Sequence, residues 1–218
     1  MNTDRLIERL AREAMPAGPL RSPTVRAAAW LFWALVYVGL LTFAMTSRAD
    51  LAANGGGWRF VLPQLLAVLL AATSAVAAFA STVPGVSRRA LLLPILAGSF
   101  WLGNLILGQE WSQVNAASLA APGEWQCVAM IALGAALPGL GITIMLRRGA
   151  PLTPRRTAAL GALAVAVLAN VGACISHPHP SNAVTLLWHG ATILVLVALA
   201  SWGSRLVLTW GTREVARG

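Results

Sequence analysis

Two thiols and three imidazoles are the side chains of this chain best suited to chemistry. Cys127 and Cys174 are its only cysteines, and His177, His179 and His189 its only histidines. Thiolate with imidazole is a ligand set for soft or borderline metals. Two thiols can also join as a disulfide, provided their Cα atoms lie within about 7 Å. Taken singly, a buried cysteine behaves as a small hydrophobe, and one histidine beside an interface reads as a hydrogen-bonded structural residue. What separates these readings is where the elements place the residues.

Composition constrains those elements strongly. Of the 218 residues 57% are hydrophobic and only 11% charged, and the mean hydropathy is +0.71, whereas a soluble domain averages about 25% charged residues. A bilayer is the solvent such a chain fits, and a spanning helix there needs roughly 20 mostly apolar residues. Six windows meet that need, at about 27–46, 60–81, 90–107, 126–146, 157–176 and 184–208. The first five contain no Asp, Glu, Lys or Arg, and the sixth carries only Arg205 near its end, from where the side chain can reach the interface. Strands of a barrel would be about 10 residues long and would alternate apolar with polar, a pattern these windows lack. The predicted class is an all-α bundle of six transmembrane helices. Residues 1–26 form a cytoplasmic segment ahead of it and residues 209–218 a tail. The first window begins too late and runs too long for a cleaved signal.

Orientation follows from the basic residues, all sixteen of which are arginine. With the windows as drawn, fourteen fall on one side, Arg147, Arg148, Arg155 and Arg156 among them, and only Arg48 and Arg59 on the other. The positive-inside rule then predicts both termini in the cytoplasm. The same rule reads the net charge of +9 as topology determinants beside anionic lipid rather than as a nucleic-acid footprint. Trp30, Trp33, Trp58, Trp111, Trp125, Trp188 and Trp210 fall near window ends, as an aromatic belt would place them.

This topology gives the cysteines a setting. Cys127 opens the fourth window and Cys174 closes the fifth, so both lie at similar depth near the outer face, where disulfides can form and persist. His177 and His179 follow at once, and His189 enters from the sixth. At the other side, residues 3–14 read as a short amphipathic helix. Thr3 is its N-cap, and Asp4 suits the positive end of its dipole. Leu6, Ile7, Leu10, Ala11 and Ala14 make one stripe opposite the Glu8–Arg12 and Arg9–Glu13 pairs. So short a helix is marginal in water, and its stripe wants the bilayer, the protein's own loops or a partner's groove. Pro16, Gly18, Pro19 and Pro23 then break the pattern into a linker.

Enzyme chemistry finds little support. All seven acids lie outside the windows, and no phosphate-cradling glycine loop, HExxH or GxSxG is present. Gln64, Asn104 and Asn170 read as interhelical hydrogen-bond partners, and Ala158, Ala162 and Ala166 as a small-residue packing face. A small transporter or channel for a metal or solute, lined by Cys127, Cys174 and His189, is the alternative reading.

The order of several short motifs resembles a known family. These are Thr3-Asp4-x-Leu6-Ile7-x-x-Leu10-Ala11, Arg48-x-Asp50-Leu51, Val83-Pro84-Gly85, Trp125-x-Cys127, Leu146-Arg147-Arg148-Gly149-Ala150-Pro151-Leu152-x-Pro154, Cys174 and Trp188-His189-Gly190. Together they resemble the NrsF-like bacterial membrane anti-sigma factors, negative regulators of an extracytoplasmic-function sigma factor. The resemblance implies that residues 3–14, aided by the 147–156 loop, hold that sigma factor at the inner membrane. It also implies that Cys127 and Cys174 sense a heavy metal or an oxidant, by transient metal ligation or a disulfide. No resident cofactor and no direct nucleic-acid contact are implied.

Overall fold

The structure, a computed structural model, describes residues 3–13, 20–46, 57–83, 85, 89–107, 123–149, 151, 153–176 and 182–208. Among them are seven α-helices and no strand: α1 (Thr3–Glu13), α2 (Pro23–Met45), α3 (Trp58–Ala80), α4 (Arg89–Leu107), α5 (Gly123–Arg147), α6 (Pro154–Ser176) and α7 (Asn182–Val207). The last six are long and apolar enough to cross a membrane. Most of these helices start ahead of their apolar windows, because helix starts take in polar capping residues. Ser22, for example, caps α2 by accepting from the Val25 amide (3.4 Å). Pro23 occupies its first turn, where no amide proton is needed.

One helix is the hub. α6 packs against α2, α3, α5 and α7, while α4 lies outside against α3. Residues 164–173 of α6 are buried without a break, as expected for a helix that is apolar all round. Its sequence there is mostly Ala, Val and Gly, small enough for four neighbours to crowd in. The closest approaches are at glycines. A Cβ at Gly172 would meet Val38 Cγ1 at 2.8 Å and Thr42 Oγ1 at 2.9 Å, both on α2, and one at Gly134 would meet Ala169 Cβ at 3.2 Å. The face of Ala158, Ala162 and Ala166, predicted as a tight packing stripe, instead lines a groove between α5 and α7.

α2 runs antiparallel to α5, and three of its side chains reach α5 main-chain carbonyls. Arg26 Nη2 donates to Met145, Trp30 Nε1 to Pro138 (2.9 Å) and the Tyr37 hydroxyl to Leu133 (3.0 Å). Trp30 is therefore only 3% exposed and takes no part in the predicted aromatic belt. Its indole N–H finds a partner inside, as a buried tryptophan requires. Trp33 and Trp58 do lie on the outside, at 69% and 67% exposed.

The bundle has two chemically different ends. At one end meet the start of α2, the ends of α3 and α5 and the start of α6. There Arg26 is buried, donates also to Thr82 Oγ1 (3.3 Å) and sits 4.6 Å over the Phe79 ring. Because the last carbonyls of a helix lack helical partners, Arg26 caps α5, and its charge suits the negative end of that dipole. Ser81 and Thr157 join α3 to α6 through their hydroxyls (2.8 Å). Gly149 is pressed so close that a Cβ would stand 2.6 Å from Thr82 Cβ. Arg147, Arg148, Arg155 and Arg156 are exposed around this end. Around the bundle Phe43, Ile95, Phe100, Leu194 and Leu206 also face outward, a surface matched to hydrocarbon rather than to water.

Candidate functional site

Cys127 of α5, Cys174 and Asn170 of α6 and His189 of α7 come together at the opposite end. Asn170 and Cys174 are one turn apart on α6 and so share a face. Asn170 Oδ1 lies 2.6 Å from His189 Nδ1, and the Cys174 thiol donates toward the same oxygen over 3.9 Å. Cys174 Sγ is 3.6 Å from His189 Nδ1. Since a carbonyl oxygen only accepts, this arrangement puts the imidazole proton on Nδ1 and leaves the lone pair on Nε2. Gln64 of α3 and Cys127 both lie close enough to Cys174 to act on it electrostatically. His189 and Cys127 are 3% and 2% exposed.

Both cysteines are free thiols. Among the described residues no group of three His, Cys, Asp or Glu side chains is placed to hold a metal ion. His177, named as a ligand from sequence, lies outside the described residues, as does His179. The site therefore presents two thiols of similar depth, an imidazole beside one of them and two amides that orient the set. Chemically this can bind a soft ion after losing thiol protons, or lose two electrons and two protons to an oxidant and close a disulfide.

The two amides are what the residue pattern understated. Asn170 does bridge two helices, as its type suggests, yet its partner is the candidate site's own histidine. Its position one turn before Cys174 was the available signal. Gln64 gave none, because its place beside Cys174 depends on how α3 crosses α6. In the sequence Arg26 is one more basic residue beside the first apolar window, and its burial against Phe79 is a product of packing.

The helix predicted over residues 3–14 appears as α1, with Asp4 and Ile7 exposed, Ile7 at 60%. Leu6, Leu10 and Ala11 fall within α1, but their side chains lie outside the described part, and Ala14 lies outside it altogether.

A family model described as NrsF, negative regulator of sigma F, matches residues 10–210. Neither the curated proteins nor the solved structures contain a match to this chain. The matched region takes in both cysteines, the histidines, the arginine-rich 147–156 stretch and all six long apolar helices. By that match over most of its length the chain belongs to the NrsF family, the negative regulators of sigma F, and acts as a negative regulator of a sigma factor.

Proposed function

We propose that this protein is an inner-membrane anti-sigma factor with both termini in the cytoplasm. On this reading α1 sequesters an extracytoplasmic-function sigma factor and a signal at Cys127 and Cys174 releases it. The observation that carries the reading is the path between the two ends. α1 leads through a short linker into α2, and α2 is tied to α5 by Arg26, Trp30 and Tyr37. α5 begins beside Cys127, and α2 is notched against Gly172 of α6, two residues from Cys174. A change in distance between the two thiols therefore moves α5 against α6, and both hold α2.

The ends lie about 30 Å apart across a bilayer core, so the signal must travel as a shift between two arrangements of packed helices. A heavy-metal ion would take the two thiolates of Cys127 and Cys174 as ligands. The three-ligand set with His189 that the sequence suggests is not assembled among the described residues, because Nδ1 of His189 is the nitrogen that faces Cys174 and it is engaged by Asn170. An oxidant would join the two sulfurs. Either draws α5 toward α6 at one end. The exposed arginines 147, 148, 155 and 156 frame the other end and add a basic surface to which a sigma factor can bind beside α1.

The test is co-purification of the detergent-extracted full chain with its cognate sigma factor, with and without residues 1–20. Wild type retains sigma and the truncation loses it; equal retention by both would remove α1 as the binding element. In cells, Cys127→Ser and Cys174→Ser are each expected to abolish induction of a sigma-dependent reporter by cadmium and by peroxide. Unchanged induction would return both thiols to a packing role.

A further inference from the structure

The groove between α5, α6 and α7 has a volume of about 300 Å³ and opens sideways out of the bundle. Small residues create it: Gly139, Ala162 and Gly203 stand where larger side chains would close the seam. Two lining residues, Thr143 and Ser204, carry hydroxyls, and none carries a charge or an amide. The Ser204 hydroxyl already donates to the Ser201 carbonyl (2.7 Å). At its rim Leu199 is 57% exposed, so the mouth meets whatever surrounds the helices. In a bilayer that surrounding is hydrocarbon, and a dry apolar groove there fills with a lipid tail rather than with water. The volume is at the low end of ligand pockets, about 300–1,000 Å³. It is too narrow for a helix, which with side chains is about 10–12 Å across.

One end of the groove is charged around its rim. It ends at Leu146 and Ala158, beside the exposed arginines of the α5–α6 turn. Arg155 is three residues before Ala158 and seven before Ala162, which puts it on the lining face of α6. Arg147 directly follows Leu146. Between Trp125 and Arg213 the chain has no Asp or Glu, so the sequence supplies no nearby carboxylate in these helices to occupy the two guanidinium groups. Guanidinium forks match phosphate oxygens in pairs.

We propose that this groove binds one acyl chain of an anionic phospholipid whose phosphate is held by Arg147 and Arg155. Tail burial alone gives no preference, since lipid tails are as apolar as the leucines they would replace. Selectivity thus comes from the head group, and the groove supplies position. The inference rests on the bilayer placement proposed above, and it draws on two of the four arginines that the sigma reading also uses.

The experiment uses the full chain in nanodiscs made from equal parts phosphatidylglycerol and phosphatidylcholine. Lipid retained after transfer to mild detergent is identified by native mass spectrometry. Wild type is expected to retain phosphatidylglycerol preferentially. Gly139→Leu combined with Ala162→Leu fills the groove and should lose the retained lipid; at Gly139 a Cβ meets only Val165 Cγ1, at an ordinary 3.7 Å. Arg147→Gln with Arg155→Gln touches only exposed side chains and should keep a lipid but lose roughly fivefold in preference per arginine. Equal retention of the two lipids by wild type, or undiminished phosphatidylglycerol in the filled variant, overturns the proposal. So does a wild-type dimer that the filled variant converts to monomer, which would make the groove a self-interface. A chain that stays soluble without detergent would instead sink the bilayer placement, and the role of α1 in sigma capture is read separately by the truncation of residues 1–20.

Discussion

Asn170 serves two partners at once, accepting from His189 Nδ1 and facing the Cys174 thiol. Interhelical hydrogen bonds inside membrane proteins average about 0.6 kcal/mol and reach about 1.7. Asn170→Leu should therefore cost only about 1 kcal/mol in a reversible unfolding titration in mixed micelles, while raising the inducer concentration needed for the reporter. A variant with unchanged induction would show that the amide orients nothing the signal uses. Arg26 is expected to matter more for stability. It makes two hydrogen bonds from a buried cation and stacks on Phe79, and hydrogen bonds to charged groups contribute about 1.5–3 kcal/mol each. Arg26→Gln should lower stability by about 2 kcal/mol or more, and Arg26→Lys should not restore it, because a single ammonium cannot fork or stack as guanidinium does. Full rescue by lysine would reduce Arg26 to a point charge.

The crossing of α2 and α6 at Gly172 decides how the helices can move. Adding a methyl there meets Val38 and Thr42 below 3 Å, and overpacking of this kind costs about 1–3 kcal/mol. Gly103 on α4 has nothing within 4 Å of an added Cβ. Gly103→Ala should leave stability unchanged or raise it, by up to about 1 kcal/mol, since a helical glycine is less favourable than alanine by about 0.5–1 kcal/mol. The two substitutions are chemically identical and should have opposite signs in the same unfolding assay. Val38→Ala placed beside Gly172→Ala should recover part of the loss. If Gly172→Ala proved as harmless as Gly103→Ala, the tight α2–α6 notch would not be the constraint described. Part of this is legible in the sequence, where six apolar windows mark six helices; Pro23, read there as part of the linker, instead opens α2 behind the Ser22 cap. The identity of the tight seams is not legible there, because Gly134, Gly161 and Gly172 look alike until neighbours are assigned to each face of α6.

For the molecule as a whole, the arginine distribution predicts the two ends to be separated by the bilayer. Alkaline phosphatase fused after Arg217 should be inactive, and the same enzyme inserted in the α4–α5 connection should be active. The reverse pattern would place Cys127 and Cys174 in the cytoplasm, where thiols are kept reduced, and would dismiss the outward-facing sensor. The same global arrangement gives α1 its role. It is an amphipathic element that precedes α2 in the chain, and α2 is bonded to α5 through Arg26, Trp30 and Tyr37.

The membrane class, the number of long helices and the two cysteines' shared depth follow from the amino-acid order alone. They depend on hydrophobicity, charge and spacing, which act locally along each window. The amphipathic α1 belongs with them, for its stripe is written at helical period. The partnership of Asn170 with His189, the burial of Arg26 beneath Phe79, the withdrawal of Trp30 from the surface and the groove beside Ala162 were decided only by tertiary structure. Each depends on which face of one helix meets which face of another. Helices that are apolar all round carry almost no signal for that choice, so shape complementarity at small residues, together with the need to pair the few buried polar groups, settles it.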